Sequence, residues 1–360
     1  ADQQFDLDVA GPIRGTYLVG KHAIQLDNAV GVFHFDGAAP YNLDFTGSNA
    51  SHMGVGGTVT GGVIYRPGKF GKAMQVAPAT TNLLLDPSFE FGDETYWSDY
   101  GGGWTRSTEQ SLYGVASCKV VGSSGNFGAL KSYTFAAATI YTASAWVYIT
   151  TRTSGDVYLY ANGHAVNADI TKLNQWQRIT VSFTTVGSSA SYVILAINGV
   201  STAYFDAVQL ETKAYATPYA DGSLGTGHDW SGTPHASTST RDVSAITYPG
   251  TGINQRAGTF SCWYSVSSGA DSIWRNIFRY GDHYVVGNIE LFKYDNETLF
   301  AEFFCYGDSV PLYVITAPLE WVADEFYYIA LTWDLDANVF AIYRNGVQVG
   351  VSNPFSGKTT

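Results

Sequence analysis

The stretch YTASAWVYITTRTSGDVYLYANG, residues 141–163, repeats with period two. Tyr141, Ala143, Ala145, Val147 and Ile149 fall on one side, and Thr142, Ser144, Trp146, Tyr148 and Thr150 on the other. That period belongs to a strand, in which side chains two apart share a face. A second run, GDVYLYANG, follows after a turn and closes on Asn162-Gly163, a strong signal for a tight hairpin. Trp146 and Tyr148 therefore share a face, as do Tyr158 and Tyr160.

Outward from this pair the same texture continues. WQRITVSFTT (176–185), SYVILAING (191–199) and AYFDAVQLE (203–211) are each about one strand long with turn residues between. Upstream, short apolar runs and turns alternate in VGVFHFDGAAPYNLDFTG (30–47) and GGTVTGGVIYRPGKFGKAMQV (56–76), and the texture changes at TTNLLLDPSFEFGDETYW (80–97). Downstream lie GTFSCWYSVSS, NIELFKYDNETLFAEFFCYGD and EFYYIALTWDLDANVFAIYRNGVQVG. The last reads as strand, turn at DLDAN, strand, Asn345-Gly346 hairpin and strand. No fixed-period repeat is present.

Composition agrees with an all-β chain. Among 360 residues there are 39 Gly, 25 Tyr, 20 Phe and 9 Trp, which suits twisted sheets joined by tight turns. The length suffices for two domains, each with its own core. A formal charge of −12 with 19 Lys plus Arg leaves no basic groove for phosphates, so no nucleic-acid partner is expected. No apolar run reaches the length of a bilayer span, so no membrane insertion is expected. The start ADQQFDLDVA carries neither an initiator Met nor a signal peptide, and implies processing or a fragment. Cys118, Cys262 and Cys305 form no C-x-x-C; unpaired buried thiols are expected, with a Cys262–Cys305 pairing as the alternative.

These pieces resemble two known families, one nested in the other. TNLLLDPSFEFG, ASCKV, YTASAWVYI, WQRITVSFTT and YFDAVQLE are similar to the carbohydrate-binding jelly rolls of the CBM4/9/22 type. The outer pieces, GGVIYRPGKFGKAMQV before and GTFSCWYSV, FYYIALTWD and NVFAIYRNGVQVG after, resemble a concanavalin-like (laminin-G) lectin sandwich. The implied fold is two β-sandwiches: a discontinuous one over 31–80 and 220–360, and a jelly roll inserted at 81–219. Residues 1–30 form an arm outside the resemblance. The joining sequence ATPYADGSLGTGHDWSGTPHASTSTR (216–241) resembles the connector of such nested domains in bacteriophage tail and other virion proteins. A virion-surface or extracellular adhesin, assembled with other virion or surface subunits and contacting host glycan, is implied. An architectural protein that binds no sugar stays open as the alternative. The pattern also implies one more strand after NPFSGKTT.

Catalytic patterns fail one by one. G-x-S-x-G and H-E-x-x-H are absent, GVGGTVTGG has Val59 where a third Gly belongs, and DLDAN departs from a calcium loop at Val339 and Asn345. Glu290, Asp295, Glu297 and Glu302 do not fall at the alternate positions of a glycosidase strand, so a non-enzymatic chain is expected. His228, Asp229, Ser231 and His235, though close in sequence, read as turn residues of a seam.

Sugars stack their C–H faces on exposed aromatic rings, and the expected ligand contacts are Trp97, Trp104, Tyr158 and Tyr160. Trp146 and Trp176 are expected inside. Arg275, Asp282 and His283 fall in a loop-like region. In the resembling jelly rolls a structural Ca²⁺ joins the first and last strands, which implies Glu90 and Asp206 as its ligands here.

Overall fold

The computed structural model describes residues 16–19, 22–25, 33–34, 43–44, 58–60, 64–67, 69, 72–75, 77–91, 95–243, 245–247, 254–266, 275–281, 287–294, 297–305, 311–322, 325–352 and 355. Among them every regular element is a strand, and every pairing between strands is antiparallel, as the composition and alternation predict. Asp282, His283 and Asp295 lie outside the described residues, and Arg275 opens the strand Arg275–Tyr280. In the N-terminal arm, Thr16–Val19 pairs with His22–Gln25. The chain divides into two compact units: residues 1–57, 67–73 and 248–360 form the first, and 58–66 and 74–247 the second.

The second unit contains two five-stranded sheets. One, the front sheet, runs His164–Asn167, Asp156–Ala161, Ser189–Asn198, Asn126–Phe135, Ser98–Gly101 in spatial order. The back sheet runs Thr105–Ser107, Ser117–Gly122, Ser201–Glu211, Ile140–Arg152, Trp176–Thr184. Alternation decides what is buried between them. Val157, Leu159, Val193, Leu195 and Ile197 from the front pack with Ala143, Ala145, Val147, Ala203 and Phe205 from the back. The Asn162-Gly163 turn has both residues at positive φ (46° and 88°), as a type I′ hairpin requires.

A buried polar knot fastens the strand Thr80–Asn82 to the end of Ser201–Glu211. Glu211 accepts from Thr80 Oγ1 (2.6 Å), Thr217 N (2.8 Å), Thr217 Oγ1 (2.7 Å) and Gln209 Nε2 (2.7 Å). Asn82 Nδ2 donates to the Val208 carbonyl (2.8 Å) while its Oδ1 accepts from Leu210 N (3.1 Å). A carboxylate out of water is tolerable when its lone pairs are filled in this way.

The stretch 226–238 lies inside the second unit. His228–Trp230 pairs with Ser239–Arg241, which pairs in turn with Thr80–Asn82. No triad forms there: Ser231 Oγ donates to the Thr238 carbonyl (3.0 Å), His235 packs against Trp230 with the rings inclined at 55°, and His228 is buried.

The first unit is built around two four-stranded sheets. One runs Ala257–Ser265, Phe326–Asp334, Val339–Arg344, Val347–Ser352, and the other Arg275–Tyr280, Ile289–Lys293, Leu299–Phe303, Leu312–Ile315. Leu291, Phe303, Ile329, Leu331 and Phe340 lie in their shared core. DLDAN makes the turn between the second and third strands of the former sheet, and Asn345-Gly346 (φ 52° and 78°) the next. Cys118 and Cys262 carry free thiols, so no Cys262–Cys305 disulfide forms.

Candidate functional site

The outward face of the front sheet is assembled by register. Directly opposed residues of antiparallel strands point to the same side, which places Asn167, Tyr158, Ala196, Gly128 and Tyr100 in one row across all five strands. The next row is Ala165, Tyr160, Ile194, Leu130 and Ser98. Flanking these are Asp156, Asn198 and Asn126 on one side, and Tyr192 opposite Ser132 on the other.

The middle of the first row is small. Ala196 is fully buried although it faces away from the core, and Gly128 is buried beside it. Tyr158 and Tyr100 stand three strand spacings apart, roughly 14 Å at the backbone. Even so, both hydroxyls reach one amide: Asn126 Nδ2 donates to Tyr100 Oη (3.4 Å), and Tyr158 Oη donates to Asn126 Oδ1 (3.5 Å). The two rings must therefore lean inward across Gly128 and Ala196, covering them and turning the opposite ring faces outward. Burial, reinforced by the hydrogen bond to Tyr100, pushes the Tyr158 phenol well above its ordinary range, so it stays a neutral donor. A side chain is not tolerated at position 128, where a Cβ would lie 2.0 Å from the Leu195 carbonyl oxygen.

Such a surface can stack an apolar ring face and exchange hydrogen bonds through phenols and amides. Asp156 is its only carboxylate among the outward residues named. Tyr158 and Tyr160, both half-buried, sit where strand parity puts them.

Trp97, expected to contact ligand, belongs instead to the core. It is 0% exposed, its Nε1 donates to the Asp86 carbonyl (3.0 Å), and its ring packs 5.2 Å from Phe89. Trp104 is half-buried against the same Phe89 (5.3 Å), at the edge of that core, and its buried Nε1 has no hydrogen-bond partner. Neither indole joins the tyrosine rows. Trp146 and Trp176, expected inside, stand on the outer side of the back sheet because Ala145 and Val147 take the inward positions. There Tyr148 lies between Trp176 (5.4 Å) and Tyr204 (6.4 Å), and Lys119 Nζ sits 5.5 Å from the Tyr204 ring centroid. Sequence reasoning passed over Tyr100, Asn126, Gly128, Asn167, Tyr192 and Ala196 as site residues.

Glu90, in the irregular segment after Thr80–Asn82, and Asp206, in the strand Ser201–Glu211, converge on one loop. Asp206 is buried at a bulge where Ala207 has φ 49°, and it accepts from Leu112 N (2.6 Å), Tyr113 N (2.9 Å) and Ala207 N (2.6 Å). Desolvation pushes its carboxyl up to about 7, with the Glu90 charge adding to the rise and the three amides opposing it. Glu90 Oε1 accepts from Val115 N (2.8 Å) and Ala116 N (3.2 Å), while Arg106 Nη2 lies 3.9 Å from Oε2. Gly114, at φ 69°, leaves room for that carboxylate: a Cβ there would come within 2.1 Å of Oε1. Gly114→Ala is expected to destabilise the second unit by about 1–2 kcal/mol through the left-handed backbone alone, read as a lower urea midpoint. The corner supplies hard carboxylate oxygens, with the Glu90 charge partly offset by Arg106. Its amides already occupy part of the carboxylate surface, and among the described residues no group of three or more His, Cys, Asp or Glu is arranged to hold a metal.

In the first unit Glu290 stands directly opposite Glu302 on the neighbouring strand, and both are buried. Arg279 Nε lies 2.9 Å from Glu290 Oε1, and Asn288 Nδ2 donates to the same oxygen (2.8 Å). The pairing was invisible in the linear spacing because it crosses strands.

Residues 238–360 match a laminin-G family model described as the concanavalin A-like lectin/glucanases superfamily. No curated protein matches the chain. Similar solved structures include a family 16 carbohydrate-binding module (20% identity, TM-score 0.29, covering 36% of this chain and 99% of that one). Another is TmCBM61 in complex with β-1,4-galactotriose (15%, 0.29, 37% and 99%). A third is the CBM22-1 xylan-binding domain from Paenibacillus barcinonensis (18%, 0.28, 39% and 99%).

Proposed function

We propose that this chain is a non-catalytic carbohydrate-binding protein, and that the tyrosine rows of its front sheet hold a neutral stretch of glycan. The observation that carries the reading is the Tyr100–Asn126–Tyr158 arrangement, in which two phenol rings are leaned over a glycine and an alanine and tied to one amide. A sugar ring laid on that surface gains apolar contact with the phenol faces, and its hydroxyls find the amides of Asn126, Asn167 and Asn198. Holding the rings before ligand arrives lowers the ordering cost of binding. The match of residues 238–360 to a lectin/glucanase-type model supports a carbohydrate ligand. The resemblance of the 216–241 connector to nested virion domains supports a place on a virion surface or outside the cell, contacting host glycan alongside other subunits.

A glycan array with the purified chain tests this. Selective binding by the wild type, lost in Tyr158→Ala, is the expected result; a blank array from folded protein returns the chain to an architectural role.

Calcium is proposed at the Glu90–Asp206 corner, where it would fasten the unit without taking part in ligand contact. The sign of its pH dependence is fixed by Asp206. A carboxyl raised from 3.8 to about 7 in the fold contributes stability that is complete below pH 4 and lost as pH rises through 7. A cation replaces the missing proton, so the gain in Tm on adding Ca²⁺ should grow between pH 5 and pH 8 and vanish with EDTA. A Tm indifferent to Ca²⁺ across that range removes the metal from the reading.

A further inference from the structure

The first unit has an aromatic surface of its own, on the outer side of its sheet Ala257–Ser265, Phe326–Asp334, Val339–Arg344, Val347–Ser352. Register aligns Trp263 with Tyr328, next to the row Ser261, Ala330, Tyr343, Gln348 and then Thr259, Thr332, Ala341, Val351. The inward partners, Phe260, Ile329, Leu331 and Ile342, fill the core, so this face has no part in it. Trp263 is 41% exposed and Tyr328 36%, with ring centroids 5.4 Å apart and planes inclined at 55°.

Exposing two large rings costs apolar contact that burial would supply, and here the backbone enforces it. Asn345 holds Tyr328 at both backbone groups: Tyr328 N donates to Asn345 Oδ1 (2.9 Å), and Asn345 N donates to the Tyr328 carbonyl (2.7 Å). Beside the rings the floor is low, since Ala330 and Ala341 are buried there, and hydroxyls rim it, with Thr259 and Thr332 in mutual contact at 3.1 Å. Lys69 adds a charge: its Nζ lies 5.2 Å from the Trp263 ring centroid. In a chain of net charge −12, an ammonium placed against an exposed indole offers an anionic ligand a positive charge beside an apolar ring.

We propose that Trp263, Tyr328 and Lys69 form a second sugar-binding site, separate from the tyrosine rows and selective for an acidic sugar, a uronic acid residue of a polysaccharide. The pyranose C–H face rests on the inclined rings, the hydroxyls of Thr259, Ser261 and Thr332 meet those of the sugar, and its carboxylate pairs with Lys69. A neutral sugar would leave that ammonium without its counter-charge, and a phosphate would make no use of the rings. The charge pairing gives the site its selectivity; the ring contact gives most of its affinity.

Titration of the full chain with oligogalacturonate, oligoglucuronate and oligomannuronate, followed by calorimetry and tryptophan fluorescence, tests the assignment, with the methyl esters of the same oligomers as neutral controls. At least one acid should bind about tenfold more tightly than its ester, and Trp263→Ala should remove that binding. Lys69→Gln, at an exposed position expected to leave Tm unchanged, should equalise acid and ester. Added salt at about 0.5 M should weaken the acid selectively. Tyr158→Ala should leave uronate binding intact, so that failure here and failure of the tyrosine rows are read separately. Absence of binding by every oligouronate, equal affinity for acid and ester, or uronate binding unaffected by Lys69→Gln overturns the proposal.

Discussion

Trp97→Ala should cost the second unit about 3–5 kcal/mol, the range for removing a large aromatic from a packed core. For a unit of this size that corresponds to a fall in Tm of roughly 6–20 °C. The indole is enclosed by Phe89 and the core between the two sheets, and its N–H satisfies the Asp86 carbonyl, so truncation leaves both a cavity and an acceptor without its donor. Circular dichroism through a thermal ramp reads the change. Glycan binding measured well below the new transition should be close to that of the wild type, because the Trp97 indole lies in the core and not on the tyrosine rows. A variant that keeps its Tm and loses binding would instead place Trp97 at the ligand.

That contrast marks what a linear sequence can reveal about such a surface. Tyr158 and Tyr160 were legible because they lie in an uninterrupted alternating run, where parity alone separates the inside from the outside. The two Asn-Gly hairpins were legible for a similar reason, since few other residue pairs accept positive φ at both positions. Trp97 stands just before a short strand, Ser98–Gly101, in a stretch with no sustained period, so nothing in its neighbours announces a face. Trp146 and Trp176 went the other way: an aromatic in a strand invites a core assignment, but the small Ala143 and Ala145 had already claimed the interior.

The floor of the site is hidden more deeply. Gly128 and Ala196 matter only because register sets them side by side beneath two rings carried by strands on either side, and register is a property of the paired sheet. Likewise, Glu290 and Glu302 are twelve positions apart in the chain and opposite each other in space. The convergence of Glu90 and Asp206 came from family resemblance, and the coupling of their charges from the fold.

Tyr158→Ala is expected to weaken glycan binding at least tenfold, about 1.4 kcal/mol, with a much smaller effect on stability than Trp97→Ala. The ring is half-buried and lies outside the core between the sheets, so its loss uncovers Ala196 without opening a cavity there. Removing it also frees Asn126 and, through Asn126, the Tyr100 hydroxyl, so a single substitution unpins the second ring. Tyr158→Phe separates the two contributions. It keeps the stacking surface and deletes only the hydroxyl, so binding should fall by a modest factor of about three, whereas Asn126→Ala frees both phenols and removes an amide offered to the sugar, and should fall further. The order Ala far below Phe is what a preorganised stacking platform requires. If Phe is as damaging as Ala, the phenol is a direct hydrogen-bonding group and ring stacking contributes little. If all three bind like wild type, the ligand lies on another face, and the Trp176–Tyr148–Tyr204 row of the back sheet becomes the next surface to mutate.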